Sequence, residues 1–200
     1  MAMKTMFILA TALALAGCTQ EVDSAKRGDA PFGLARGDLI PDIQIGSTPD
    51  ANGYAVMREV PAPEAPFVNY AVIVRENIGV CQIMAASGNF ARSNDEAARG
   101  RAAMARESIE KKYGPPHVVL NSCKGDSLCK PDVWAEGIAR GARQYGFTWG
   151  SMDKPLNAYI KQIRLEVRTN EVMEPYVRAD YIFTNEAACK AVTPAAKPKG

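Results

Sequence analysis

Three segments in the second half of the chain alternate apolar and polar residues with a period of two. Aromatic residues alternate with small or polar ones over residues 145–149, and apolar residues recur, with one exception, at every second position over 159–168 and 177–184. Such alternation is typical of strands whose sheet has one buried and one solvent-facing side. The apolar sides of the two longer segments consist of Tyr159, Ile163, Leu165 and Val167, and of Val177, Ala179, Tyr181 and Phe183.

Lys161 is the exception, because it falls on the apolar side of its segment beside Tyr159. A lysine side chain is almost never fully buried. We therefore interpret Lys161 and Tyr159 as an edge or rim of the sheet that faces a partner.

Two apolar segments in the first half of the chain, residues 67–75 and 79–86, flank Glu76-Asn77-Ile78. This arrangement predicts a tight hairpin in which Asn77 or Gly79 takes a positive φ. The first segment is apolar on both sides, so we expect it to lie centrally. Residues 54–60 are interpreted as a further strand, and a short one is expected near residues 117–121.

One long helix is predicted between these groups of strands. Ser93 and Glu96 have the spacing of a capping box, and Gly114-Pro115-Pro116 would end the helix. A stripe at mostly four-residue steps would face the sheet: Ala98, Ala102, Ala105, Ile109 and Tyr113. A second, shorter helix is expected over residues 131–142, with Trp134 and Ile138 inward.

The order of elements predicts an α+β fold, with an antiparallel sheet of about five to seven strands and one long helix packed on a face. Residues 31–192 are expected to form this single domain. Residues 193–200, rich in proline and lysine, are interpreted as a disordered tail.

The N-terminal segment is short and apolar. Residues 7–16 follow Lys4, are apolar apart from Thr11, and are too few to span a bilayer. The segment ends in Leu15-Ala16-Gly17-Cys18, which resembles the lipobox of bacterial lipoproteins. The resemblance implies that residues 1–17 are a signal peptide and that Cys18 carries acyl chains such as palmitate. An uncleaved signal anchor and an ordinary signal peptide with a chance cysteine are the alternatives.

Lipidation would place the protein on a membrane. Two or three acyl chains anchor a protein stably, whereas one chain binds only marginally. Residues 18–30 would then be the lipidated cysteine and a flexible tether that spans about 20 Å as a coil. Thr19 implies the outer membrane, facing the periplasm, under the enterobacterial sorting rule; the inner membrane and the cell surface stay open.

Four cysteines remain besides Cys18, an even number suited to an oxidising compartment. Three pairings are possible. We favour a disulfide across the short polar loop between Cys123 and Cys129, and a second from Cys81 to Cys189. A metal site is disfavoured, because Cys-x5-Cys is not the usual ligand spacing and the chain contains one histidine.

Charge and residue content limit the function classes. Without Lys4, 23 basic and 22 acidic side chains remain, which leaves no excess of positive charge for nucleic acid. The single histidine, His117, is interpreted as structural at the start of a strand, and no Gly-x-Ser-x-Gly motif occurs. We therefore expect no enzymatic activity, no cofactor and no metal.

Short motifs in the predicted domain resemble other envelope lipoproteins. Phe32-Gly33-Leu34-Ala35-Arg36-Gly37-Asp38 is similar to the start of small outer-membrane lipoproteins of the SmpA/OmlA type, which assist barrel assembly. The chain resembles more closely a set of uncharacterised envelope lipoproteins with Phe-Gly-Leu, Phe-x-x-Tyr (Phe67, Tyr70), Tyr-Gly-x-Pro (from Tyr113) and Tyr-x-Phe (Tyr181, Phe183) motifs. That resemblance implies no known activity.

Our first functional expectation is a non-enzymatic binding or envelope-assembly module, anchored by lipid, with an envelope protein as its partner. The alternative is an inhibitor or immunity lipoprotein against a wall-degrading enzyme, whose contact loop would include Lys124 and Asp126. A further alternative is an envelope hydrolase that uses His117 or a pair of acids such as Asp95 and Glu96.

Overall fold

The structure, a computed structural model, describes residues 30–191 and contains one seven-stranded sheet in the order β1-β2-β3-β7-β6-β5-β4. Every neighbouring pair of strands is antiparallel. The strands are β1 (Tyr54–Val56), β2 (Asn69–Arg75), β3 (Gly79–Ala86), β4 (Val118–Cys123), β5 (Arg143–Gly150), β6 (Ile160–Thr169) and β7 (Pro175–Phe183).

Within residues 30–191, three α-helices accompany the sheet: α1 (Asp95–Tyr113), α2 (Trp134–Ala139) and α3 (Glu186–Ala191). Helix α1 packs across β5, β6 and β7. The predicted α+β class, with an antiparallel sheet and one long helix on a face, is confirmed. The predicted signal peptide, Cys18 and most of the predicted tether, together with residues 192–200, lie outside the described residues.

Helix α1 begins one residue later than the capping box predicts. Asn94, not Ser93, is the N-cap, and its side-chain oxygen accepts a hydrogen bond from the Ala97 N–H at 3.1 Å. The helix ends at Gly114, whose φ of +77° favours glycine. The Trp149 indole N–H donates to the Gly114 carbonyl at 2.8 Å, which fixes the helix end to β5.

The core lies between α1 and one side of the sheet. The buried residues of the helix are Ala98, Ala102, Ala105 and Ile109. Because three of the four are alanines, the helix axis comes close to the strands, and larger side chains of the sheet fill the layer. These include Val72, Ile83, Phe147, Trp149, Ile163, Leu165, Val177, Tyr181 and Phe183. Trp134 and Trp149 are both buried, as the periodicity predicts.

The predicted hairpin joins β2 and β3, and Gly79 takes the positive φ, at +78°. A Cβ atom on Gly79 would lie 2.2 Å from the Gly37 carbonyl oxygen. The Gly37 N–H donates to the Val80 carbonyl, and the Val80 N–H donates to the Asp38 carbonyl. Residue 79 must therefore be glycine both for its backbone angle and for this close passage of the N-terminal segment.

Strand β2 is covered on its outer side by β1, which is itself short. The backbone of Gly46 donates to the Val56 carbonyl, Arg58 donates to Gln44, and the Val56 N–H donates to the Ser47 hydroxyl. The predicted strand over residues 54–60 thus ends at Val56, and an irregular segment covers its outer edge.

A β-bulge in β3 turns Cys81 toward α3. Ile73 pairs with Gln82 and Val74 pairs with Val80, so Cys81 is the extra residue of the bulge. Cys81 forms a disulfide with Cys189 of α3, with the two Cα atoms 6.4 Å apart. Helix α3 is thereby held on the side of the sheet opposite α1.

A second bulge, in β6, explains why Lys161 interrupts the apolar side of its segment. Ile160 pairs with Phe183 and Gln162 pairs with Ile182, so Lys161 has no partner in β7. Its ammonium group lies 3.7 Å from the carboxylate of Glu186 in α3. Lys161 does not lie on an edge strand, because β6 is paired on both sides; it lies near the start of β6 and contacts a helix of its own chain.

The predicted helix over residues 131–142 is shorter in the structure. A 3-10 turn over Pro131–Val133 leads into α2, which ends at Ala139. Gly141 has a φ of +69°, which ends the helical path and returns the chain into β5. Trp134 is buried and Ile138 packs against the core, as expected.

Candidate functional site on the open face of the sheet

The side of the sheet opposite α1 is covered by α3 only beside β2 and β3. We use the term open face for the remaining part of this side, on β4 to β7 and the outer half of β1 and β2. Among the described residues, no helix packs on it. Polar side chains of β6 and β7 occupy its centre: Gln162, Arg164, Glu166, Arg168, Arg178 and Asp180.

Asp180 lies at the middle of this group and is 1 % exposed. Its Oδ1 accepts hydrogen bonds from the Gln82 amide at 3.0 Å and from Nε and Nη2 of Arg178 at 3.0 and 2.7 Å. The Oδ2 atom lies 3.8 Å from Nη2 of Arg164 and 3.9 Å from Nη2 of Arg168. A buried carboxylate is stable only with such partners, so Asp180 organises three guanidinium groups around itself.

Glu166 is the second carboxylate of the cluster. Its Oε2 accepts hydrogen bonds from Nε and Nη2 of Arg168, at 3.1 and 2.9 Å. Burial disfavours the charged form of Arg178, but the hydrogen bond from Arg178 to Asp180 and the fields of Asp180, Tyr176 and Glu166 outweigh it and raise the pKa of Arg178. The guanidinium therefore stays charged.

Arg164 is the least satisfied member of the cluster. Its Nε is buried and has no hydrogen-bond partner among residues 30–191. Its closest carboxylate oxygen, on Asp180, is at 3.8 Å, beyond hydrogen-bonding distance. The side chain is 37 % exposed. With three arginines and two carboxylates, the cluster has a formal charge of +1, and Arg164 has N–H groups left to donate to a carboxylate from outside.

An apolar hollow lies beside the cluster on the same side of the sheet. It has a volume of about 310 Å³ and reaches from Arg178 to the β1 edge. Tyr54 and Val56 are exposed at its outer end. Its other lining residues include Ala71, Met84, Ala86 and Tyr176. The open face thus combines a cationic centre with an apolar margin.

The four cysteines predicted to form disulfides do so in the favoured pairing. Cys81 is joined to Cys189, and Cys123 is joined to Cys129 with Cα atoms 5.7 Å apart. The second bridge closes a loop that contains a 3-10 turn, Asp126–Leu128.

The residues predicted to form a partner surface do not lie together. Tyr159 precedes β6, is half-buried, and has the Arg36 guanidinium 5.2 Å from its ring centre. Lys124 is exposed, and its backbone N–H donates to Ala142 just before β5. Lys161 lies by the opposite end of β5, about 23 Å away at 3.3 Å per residue. Asp126 opens the 3-10 turn after Lys124.

The residues considered for catalysis have structural contacts. His117 is exposed, and its Nδ1 accepts the Gly150 N–H at 2.7 Å. Asp95 pairs with Arg99 one turn along α1, at 2.6 Å. Within residues 30–191, no group of three or more His, Cys, Asp or Glu side chains has the arrangement of a metal site.

The arginine–carboxylate cluster is the feature that the sequence analysis missed. The alternation showed that Arg164, Glu166 and Arg168 share one side of a strand, and that Arg178 and Asp180 share one side of another. The missing information was the register, which sets Arg164 opposite Asp180 and Glu166 opposite Arg178. Opposite charges at matched two-residue spacing in consecutive strands were the available signal.

None of the described helices has the length and apolar content needed to cross a membrane. Comparison of the chain with protein-family models, curated proteins and solved structures gives no match. The geometry of the open face is therefore the basis on which a function is proposed.

Proposed function

We propose that the protein is a membrane-tethered, non-enzymatic binding module whose open face receives an acidic surface of an envelope protein. The observation that carries this proposal is Arg164, a partly exposed guanidinium with a buried, unpartnered Nε beside carboxylates already engaged elsewhere. A carboxylate of the partner would accept hydrogen bonds from the exposed N–H groups of this guanidinium. Arginine–carboxylate pairs are strong and directional, and arginine is enriched at protein interfaces.

The two carboxylates of the cluster support binding rather than catalysis. Asp180 is buried and accepts three hydrogen bonds, and Glu166 is bonded to Arg168 through two. A general acid or base needs a proton that can be exchanged with substrate. Both groups instead hold positive charge in place. The apolar hollow beside Arg178 adds a second contact for a partner side chain.

The tether is proposed from the lipobox-like Leu15-Ala16-Gly17-Cys18. Lipidation at Cys18 would hold the domain in the periplasm beside the outer membrane. The two disulfides support an oxidising compartment, since cytosolic proteins rarely keep such bonds. Palmitate labelling of the wild type, compared with a Cys18→Ser variant, tests this part: the proposal requires label on the wild type alone.

The partner surface is tested by photo-crosslinking in intact cells. A crosslinking side chain at Thr148, directly opposite Arg164 in the sheet, is expected to give a discrete adduct. The same group at Val172, which is exposed in the turn between β6 and β7, is the position control and should give none.

Charge reversal then separates specific binding from chance contact. Arg164→Glu should abolish the Thr148 adduct, since it places a carboxylate against an acidic partner. Lys111→Glu makes the same charge change on an exposed residue of α1 and should leave the adduct intact. An adduct that survives Arg164→Glu, or the absence of any adduct at Thr148, would contradict the proposal.

A second candidate is an inhibitor that inserts the loop between Cys123 and Cys129 into an enzyme. The disulfide across this short loop favours it, because a closed loop loses little entropy on binding. Replacing Lys124, Asp126 and Ser127 together by alanine should abolish inhibition of a wall-degrading enzyme. The same variant should leave the Thr148 adduct unchanged if the open face is the binding surface.

A further inference from the structure

The two edges of the sheet differ in their protection. The outer edge of β1 is covered, because backbone groups around Val56 bond with Gln44, Gly46 and Ser47. At the other edge, β4 has β5 as its neighbour on one side. Among the described residues, no hydrogen bond caps its other side.

Strand β4 also lacks the usual features of an edge that stays unpaired. Its sequence, Val-Val-Leu-Asn-Ser-Cys, contains no charge and no proline. Val118 is 47 % and Val119 is 57 % exposed. Natural sheets protect their edges with charged side chains, prolines, bulges or covering segments. An uncharged six-residue edge with exposed valines is instead a surface suited to pairing with another strand.

The backbone groups available on β4 follow from its register with β5. The Lys124 N–H donates to the Ala142 carbonyl, and Val118, Leu120 and Ser122 continue this alternation toward β5. Antiparallel strands alternate the direction of their backbone groups residue by residue. Val119, Asn121 and Cys123 therefore direct their N–H and C=O groups outward.

We propose that β4 pairs antiparallel with β4 of a second copy of this chain, about a two-fold axis at Leu120. A second copy fits because the strand carries no charge, so self-pairing brings no like charges together. The outward N–H and C=O groups of the two copies can pair if the two-fold axis passes through Leu120 or through Asn121. An axis at Leu120 places the two Leu120 side chains opposite each other. An axis at Asn121 would instead place the charged Lys124 of each copy opposite Val118 of the other.

The rest of the fold leaves room for this pairing. Helix α1 packs over β5 to β7 and not over the β4 edge. In the dimer the two sheets would form one continuous sheet of fourteen strands, twice the seven of a single chain. The open faces of both copies would then lie on the same side. Such an interface is closed and does not extend into fibres.

The mass of the purified full chain, measured by sedimentation over a range of concentrations, tests the proposal. The wild type is expected to dimerise. Val119→Lys should raise the dimer dissociation constant about tenfold or more, because it places a charge opposite Asn121 of the other copy and brings the two new lysines to diagonal positions on the same side of the joined strands. Val172→Lys, which changes an equally exposed valine elsewhere, should dimerise like the wild type.

Covalent linkage tests the axis. Leu120→Cys should form a disulfide between two chains under mild oxidation, and Val172→Cys should not.

A monomeric wild type, or a dimer that Val119→Lys leaves intact, would overturn the proposal. Arg164→Glu should dimerise normally, so loss of the binding proposed for the open face and loss of the dimer are separately detectable. A thermal melt of each variant confirms that it is folded.

Discussion

Asp180 is a carboxylate on the solvent side of a sheet, yet it is almost completely buried by its neighbours. Arg178 supplies two hydrogen bonds and Gln82 a third, while Arg164 and Arg168 stand just beyond hydrogen-bonding distance. The carboxylate therefore holds the positive side chains in position and limits their mutual repulsion. Without it, the open face would carry three neighbouring guanidinium groups with Glu166 alone to balance them.

Replacing Asp180 by asparagine should lower the free energy of unfolding by about 2–3 kcal/mol. Removing one partner of a buried pair costs about 3–5 kcal/mol, and the partial exposure of the arginines reduces that effect. Urea unfolding measures the difference. Asp153→Asn, an exposed aspartate in the turn after β5, should change stability by less than about 0.5 kcal/mol. Equal effects of the two substitutions would show that Asp180 does not organise the cluster.

Tyr181 is buried against α1, and its pKa is raised well above 10.0, first by burial and then by the fields of Tyr113 and Glu64. The folded state thus holds the phenol proton more tightly than the unfolded state. This contribution to stability is complete below about pH 10 and is lost as the pH rises above the unfolded pKa.

The free energy of unfolding should consequently fall as the pH rises above about 10, and Tyr181→Phe should reduce the slope. Burial likewise raises the pKa of Tyr70, so part of the slope should remain in this variant. Urea unfolding at several pH values gives both slopes. A slope unchanged by Tyr181→Phe would mean that Tyr181 does not contribute.

Helix α3 is a short element that depends on the sheet for its position. The bulge in β3 directs Cys81 toward α3, where it forms the disulfide with Cys189. The bulge in β6 directs Lys161 toward α3, where it forms an ion pair with Glu186. Six residues do not form a stable helix alone. These contacts are therefore what places α3 on the sheet.

The two disulfides should contribute unequally to stability. The Cys81–Cys189 bridge spans 108 residues and the Cys123–Cys129 bridge spans 6. By loop entropy, replacing both cysteines by serine should cost about 5 kcal/mol for the first pair and about 2 kcal/mol for the second. Urea unfolding of the two double variants measures this ranking. A larger loss for the Cys123–Cys129 pair would contradict the assigned roles.

Strands and helices could be predicted where their apolar residues repeat with one constant period. The alternation over residues 159–168 and 177–184 matches β6 and β7, and the alanine stripe matches the buried side of α1. Lys161 was misinterpreted because a bulge shifts the alternation by one residue, and a bulge has no signature in a short window. The helix cap was misplaced by one residue because Ser93 and Asn94 are both good caps.

At the scale of the whole molecule, the fold class could be predicted but the order of strands could not. Strand β3 pairs with β7 at the chain's far end, with Ile83 opposite Tyr181. Apolar patterning shows which side of a strand is buried, but it does not show which strand lies beside it. The open face exists only through this order, since it brings Gln82, Asp180 and Arg164 together from three strands.

The same strand order explains why the residues predicted to form a partner surface do not lie together. Lys161 and Lys124 lie at opposite ends of β5, and Lys161 is used within the chain. The partly exposed guanidinium of Arg164 instead lies at the centre of the sheet, on a strand paired on both sides. A binding surface of this kind is rigid, because its side chains stand on strands that pair on both sides.

Arginine modification in intact cells shows whether a partner covers Arg164. Phenylglyoxal reacts with accessible guanidinium groups, and mass spectrometry locates the products. Arg164 should react in the purified protein and be protected in intact cells, where the proposed partner would cover the open face. Arg101, which is exposed on α1, should react equally in both. Equal modification of Arg164 in the two preparations would mean that no partner binds the open face.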